Sequence, residues 1–221
     1  MRFAILASMI ETRMSRFKDR KKAGQELAKR LAAYRAGDGV VYALPRGGVV
    51  LGVEVAKALG LPLDLVIARK IGAPEHEEYA VAAIAEDGDL VVAEAEVGRL
   101  DPAWFAKACE EQKAEAKRRR LAYLGDRPSP DVRGKTAIVV DDGIATGLTM
   151  KAVLKEIRHK KPSKIVLAVP VTSPEAEAEL TRQVDAFIAI EHDLTLGAIG
   201  ASYEDFPQVS DEEVTRLMKT V

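Results

Sequence analysis

The chain has 221 residues, 48% of them hydrophobic, with 33 Lys and Arg against 34 Asp and Glu for a formal net charge of −1. That composition suits one globular domain with a sizeable core and gives no overall basic bias toward nucleic acid. A single cysteine, Cys109, excludes an internal disulfide and a multi-cysteine metal centre, and no apolar run is long enough to span a membrane.

In chain order, residues 3–10 are apolar but lack a signal-peptide cleavage site and lead into charged Glu11-Thr12-Arg13. They read as an extra strand or as an over-extended start ahead of Met14, and the expected location is the cytoplasm. Residues 15–34 place Phe17, Leu27 and Leu31 on one side of an amphipathic helix that begins near Asp19. Its basic run, Arg16, Lys18, Arg20, Lys21 and Lys22, reads as a solvated face. Residues 40–44 form a first buried strand, Pro45-Arg46-Gly47-Gly48 a turn, and residues 49–59 a helix. Arg46 with the Gly47 and Gly48 amides suits an anion; the alternative is a plain turn with a surface arginine. Residues 63–68 form a second strand ending in the cations Arg69 and Lys70.

Residues 72–79 are charged and broken by Pro74, and residues 80–85 and 90–93 flank an Asp87-Gly88 hairpin signal. Glu75, His76, Glu77 and Glu78 read as a solvated loop before they read as metal ligands. Asp101 caps a long helix that starts at Pro102 and runs to about Tyr123; Cys109 is expected in its packing. The cluster Lys117-Arg118-Arg119-Arg120 favours a helix-end charge over a nucleic-acid patch.

The stretch TAIVVDDGIATGLTM, residues 136–150, organises the rest. A short β-branched strand ends in Asp141-Asp142, and the loop Gly143-Ile144-Ala145-Thr146-Gly147 opens into a helix over residues 148–160. Such a strand–loop–helix start cradles phosphate on backbone N–H groups. The two acids fit a ligand that also offers hydroxyls or a cation. Strands at 164–169 and 186–191, a helix at 174–182 and a last helix at 211–218 complete an alternating α/β pattern. No G-x-x-x-x-G-K-[ST] loop is present, which argues against a P-loop NTPase.

VVDDGIATGLT, residues 139–149, resembles the phosphoribosyl pyrophosphate (PRPP) motif of the type I phosphoribosyltransferases, and related core elements extend the likeness over about residues 40–205. The resemblance implies a three-layer α/β/α fold around a mostly parallel six-stranded sheet, order 3-2-1-4-5-6 with strand 3 antiparallel. It implies a single domain over residues 1–221: a core at about 15–191, a flexible loop at about 71–94 and a hood or tail at about 192–221. It implies that Asp141 and Asp142 hold the ribose hydroxyls directly or through hydrated Mg²⁺. Residues 143–149, with Leu148 and the Thr146 and Thr149 hydroxyls, wrap the 5′-phosphate. Pro45, Arg46, Gly47, Gly48, Arg69 and Lys70 receive pyrophosphate, with a cis peptide between Pro45 and Arg46. Tyr203 and Phe206 either stack on the acceptor or pack the last helix. Ala145 resembles the adenine and orotate branches, so the acceptor base and general base stay open. The expected cofactor is Mg²⁺. The expected partners are PRPP and a small-molecule acceptor, with a homodimer allowed and no membrane or nucleic acid. A PRPP-binding regulator of the same fold is the alternative.

Overall fold

A computed structural model describes residues 17–193 and 197–221. The apolar stretch 3–10, Met14 and Arg16 lie outside the described residues. Helix α1 (Arg20–Arg30) begins where the Asp19 carboxylate accepts a bond from the Lys22 N–H at 2.7 Å. Strand β1 (Gly39–Ala43) leads through the Pro45–Gly48 turn into α2 (Gly47–Leu59), and β2 (Leu63–Leu65) follows. Next come β3 (Ala68–Ala73), β4 (His76–Ala85), β5 (Leu90–Val92), the short helix α3 (Glu94–Val97) and the long helix α4 (Pro102–Leu124). Asp101 caps α4 by accepting from the Trp104 N–H at 2.7 Å. The remainder alternates: β6 (Thr136–Val140), α5 (Leu148–His159), β7 (Lys164–Thr172), α6 (Pro174–Leu180), β8 (Ala186–His192) and α7 (Asp211–Met218).

Among the described residues the main sheet has five strands in the order β2-β1-β6-β7-β8, every neighbouring pair parallel. β1, β2, β6 and β7 are buried on both faces while the edge strand β8 is half-buried, and the side-chain alternation separates two cores. Val41, Ala43, Ile138 and Val140 pack with Leu27, Leu51 and Val214 from α1, α2 and α7. Val40, Tyr42, Ala137 and Val139 pack with Val153, Leu154 and Ala176 from α5 and α6. That is the α/β/α class the sequence implies.

The sixth strand is a correction. Among the described residues no antiparallel strand joins the main sheet; β3, β4 and β5 form a separate antiparallel sheet. The strand expected over residues 63–68 stops at Leu65, and Arg69 and Lys70 fall inside β3 rather than at a strand end. The reason is solvation. A strand of the main sheet is covered on both faces, whereas adjacent cations need water. The chain leaves the sheet before them and pairs with β4, covering one face with Cys109, Trp104 and Phe105 of α4. Most of the stretch 71–94 lies in β3, β4 and β5, with Asp87 and Gly88 at the hairpin turn the sequence implies between β4 and β5.

β1 and β6 are adjacent, and the chain winds away from them in opposite directions. Their carboxyl ends thus make the switch point where an open α/β sheet presents a ligand crevice.

Candidate functional site

Both turns at that switch point open into one cleft, lined by Leu44 and Pro45 from the first and by Asp141, Gly143–Gly147 and Thr149 from the second. They touch. A Cβ added to Gly47 would lie 1.9 Å from Asp142 Oδ2, and one on Gly48 would lie 2.9 Å from Asp141 Oδ1. Only glycine lets the backbone approach the carboxylates this closely. The Pro45–Arg46 peptide is cis, as the resemblance implies.

The aspartate turn is held at several points. Asp142 N–H donates to Asp141 Oδ1 at 2.8 Å. Ile144 N–H donates to Val171 O at 3.0 Å, and the Ser173 hydroxyl donates to Ala145 O at 2.7 Å. Gly147 has φ +76° and leads into α5, whose first-turn N–H groups lack intrahelical acceptors. Thr149 Oγ1 is buried and has no partner, while Thr146 is exposed. A buried unpartnered hydroxyl on a helix start, beside free amides, suits a phosphate oxygen.

The two carboxylates differ. Burial and then the neighbouring Asp142 charge push the Asp141 carboxyl well above the usual range, and Lys70 pulls it back. Asp142 is raised by burial, but Arg20 Nε donates to its Oδ2 at 2.8 Å and opposes that rise. Arg20 also donates to Pro207 O at 2.6 Å and lies 3.5 Å over the Phe206 ring. It is 8% exposed, so it leaves the solvated face the basic run suggests. No local sequence signal distinguishes it from Lys21 or Lys22, since its partner is 122 positions away.

The three expected pyrophosphate cations separate. Lys70 lines the cleft. Arg46 turns to Asp211 of α7 at 3.4 Å, and the Tyr123 hydroxyl donates to that carboxylate at 2.7 Å. Arg69 Nε donates to Gln112 Oε1 at 3.0 Å and faces a second cleft. Tyr203 is buried against Phe17 and Phe206, and its hydroxyl donates to Asp142 O at 2.6 Å. Tyr203 is thus enclosed beside the aspartate turn, and Phe206 is half-buried next to it.

Acceptor-only carboxylates beside free amides fit the hydroxyls of a sugar phosphate or the water shell of Mg²⁺. A different trio, Asp87, Asp89 and His159, brings ligand atoms within 4.8 Å of one another. It lies at the far end of α5, and Asp89 already meets Lys155 at 3.3 Å. Glu75, His76 and Glu77 are exposed and contribute to no such cluster among the described residues. No described helix is long and apolar enough to cross a membrane.

A family model described as a phosphoribosyl transferase domain matches residues 14–204. Two Mycobacterium tuberculosis proteins, from strains CDC 1551 and H37Rv and both provisionally named phosphoribosyl transferases, are 38% identical over 207 residues. The match covers 93% of this chain and 47% of theirs, so the chain spans about half the length of these curated relatives. The crystal structure of TT1426 from Thermus thermophilus is 38% identical, with a TM-score of 0.77, over 92% of this chain and 97% of that one.

Proposed function

The chain belongs to the phosphoribosyl transferase domain family, and from that premise we propose that it moves the 5-phosphoribosyl group of PRPP to a nucleobase or related nitrogen acceptor, with Mg²⁺ assistance. One observation carries the reading: the aspartate turn and the Pro45–Gly48 turn meet at a single cleft, with Gly47 and Gly48 against the carboxylates.

In this reading the anomeric C–O bond breaks with its electron pair leaving on pyrophosphate. The acceptor nitrogen's lone pair makes the new C–N bond, and any N–H proton it sheds goes to water. The transition state is oxocarbenium-like, as in glycoside cleavage. Asp141 and Asp142 accept bonds from the ribose hydroxyls and keep negative charge beside the developing cation. The α5 first turn and the Thr149 hydroxyl hold the 5′-phosphate, which fixes the sugar in line with its leaving group. Gly47 and Gly48 N–H groups and Lys70 receive the pyrophosphate, and Arg46 joins them if it exchanges Asp211 for the ligand. Asp141 and Asp142 would hold Mg²⁺ through water, and the bound ion would neutralise leaving-group charge.

Pyrophosphate release from PRPP, followed across a panel of nitrogen acceptors with and without Mg²⁺, tests the reading. Acceptor-dependent release is expected. PRPP binding without release by any acceptor would favour a PRPP-responsive regulator instead.

A further inference from the structure

We propose that Asp87, Asp89 and His159 bind a divalent transition-metal ion, with Zn²⁺ as the probe, and that this ion pins the β4–β5 turn to the end of α5. The site stands at the far end of α5 from the aspartate turn and does not depend on the transfer reading. Asp87 and Asp89 flank Gly88 in the turn, and His159 is the last residue of α5, which packs across β3, β4 and β5. One ligand atom from each of the three lies within 4.8 Å of the others. The carboxyl end of the helix adds partial negative charge, which favours a cation there.

The geometry separates an ion site from an ordinary ion pair. Asp89 is 9% exposed, and its Oδ2 is enclosed without a hydrogen bond although His159 Nδ1 stands 2.8 Å away. The two atoms are close but out of line. Ligands about 2.1 Å from one ion lie about 3.0 Å apart on an octahedron and about 3.4 Å apart on a tetrahedron, each to the side of the other's bonding direction. The 2.8 Å to Asp89 Oδ2 and the 3.6 Å from the same nitrogen to Asp87 Oδ2 bracket those edges. The other carboxylate oxygens are already engaged. Asp87 Oδ1 accepts from the Asp89 N–H at 2.9 Å, and Asp89 Oδ1 meets Lys155 Nζ at 3.3 Å. Such outer contacts orient ligands, and here they leave each Oδ2 toward the imidazole. Lys155, and Lys113 packed against Gly88, oppose a cation held by charge alone. The imidazole nitrogen supplies what charge does not. It selects ions that accept nitrogen over Mg²⁺ and Ca²⁺, which take oxygen.

The whole chain, free of any affinity tag and stripped with a chelator, is titrated with Zn²⁺ by calorimetry in an excess of Mg²⁺. One ion per chain should bind. His159→Gln, at a side chain 62% exposed, should keep the fold and weaken Zn²⁺ about tenfold or more. Asp89→Asn should do the same; if D89N does not fold, H159Q decides alone. His192→Gln, at the separate pair of His192 with Glu177, should change nothing. Zn²⁺ at about a hundred times its dissociation constant should raise the parent's thermal midpoint by about 5–10 °C and leave that of H159Q where it is. Co²⁺ in place of Zn²⁺ should give visible absorption bands that H159Q removes. No saturable binding, equal binding by parent and H159Q, loss at H192Q in place of H159Q, or displacement by the Mg²⁺ excess would each overturn the proposal. A lower midpoint in H159Q with no Zn²⁺ effect on the parent would reduce the trio to an ion pair and overturn it as well.

Discussion

Two groups of carboxylates among the described residues are withdrawn from water, and they are balanced in different ways. Around α4, the Arg120 guanidinium reaches Asp64 at 3.1 Å, Glu86 at 3.1 Å and the Leu65 carbonyl at 2.8 Å. Next to them Glu156, 2% exposed, meets Lys160 at 3.3 Å, and burial pushes its pKa up to about 8, so it keeps a proton at neutral pH. That group is closed in charge, since Arg120, Lys160 and a retained proton balance it, although Glu86 and Glu156 also border a surface cleft. At the end of β6, Asp142 has Arg20, but Asp141 has one backbone N–H and the field of Lys70, and it lines a cleft. Uncompensated charge facing an opening is what a binding site presents, while charge met by the protein's own cations is architecture.

The largest effect expected is at the closed group. Arg120→Met leaves Asp64, 3% exposed, without its cation. Stability should fall by about 3–5 kcal/mol, read from the urea midpoint. PRPP affinity of the protein that remains folded should be unchanged. A matched loss of affinity would merge the two groups and remove the distinction.

Asp141→Asn is the mirror experiment at the open group. PRPP affinity should fall about a hundredfold by calorimetry, since charge-assisted hydrogen bonds to the ligand are lost. The thermal midpoint should hold or rise, because a buried like-charge pair is relieved. Asp141 is the cleaner choice, as changing Asp142 would also strand Arg20. A lower midpoint with unchanged affinity would make the aspartate pair structural.

The sequence speaks clearly about the open group and hardly at all about the closed one. Asp141-Asp142 and its glycine loop are contiguous, because one strand end, one turn and one helix start make the cradle. Gly47 and Gly48 are legible for the same reason, and so is Asp101 as the cap of α4. Arg120 and Asp64 are 56 positions apart, and Arg20 and Asp142 are 122 apart. Each arginine stands in a run of cations, and only the tertiary fold decides which member turns inward. Topology misled in one place. Residues 63–68 are apolar enough for one strand, but the Arg69-Lys70 pair forces the chain out of a sheet covered on both faces. Arg46 and Arg69 show the same limit. Their turn and strand were legible, but the direction of each guanidinium depends on Asp211 and Gln112, far along the chain.

Glu156→Gln sharpens the closed side of the comparison through pH. The folded pKa of about 8 lies above the ordinary glutamate value of 4.5, so the folded state keeps a proton that the unfolded chain releases. The stability tied to that proton is fully present below about pH 4.5 and is lost as pH rises toward 8. Glutamine cannot ionise. E156Q should match the parent near pH 4.5 and exceed it by about 2 kcal/mol at pH 8, roughly 4–8 °C in thermal midpoint. An advantage that does not grow with pH would place the proton elsewhere.

The smallest effect comes from deleting one unpartnered hydroxyl on each side. Thr149 Oγ1 and Tyr42 OH are both buried without a partner. Removing such a hydroxyl relieves an unmet desolvation cost, so Thr149→Val and Tyr42→Phe should each leave stability unchanged or raise it by about 1 kcal/mol. Their ligand behaviour should diverge. Thr149→Val should weaken PRPP and ribose 5-phosphate about fivefold to tenfold and leave pyrophosphate alone, because the proposed reading puts only the 5′-phosphate at the start of α5. Tyr42→Phe should change none of the three, since Tyr42 sits within the core between β1 and α5. Equal losses for pyrophosphate and ribose 5-phosphate at Thr149 would mean that the helix start does not discriminate between the two ends of the ligand. The polarity assigned to the cleft would then have to be reversed or abandoned.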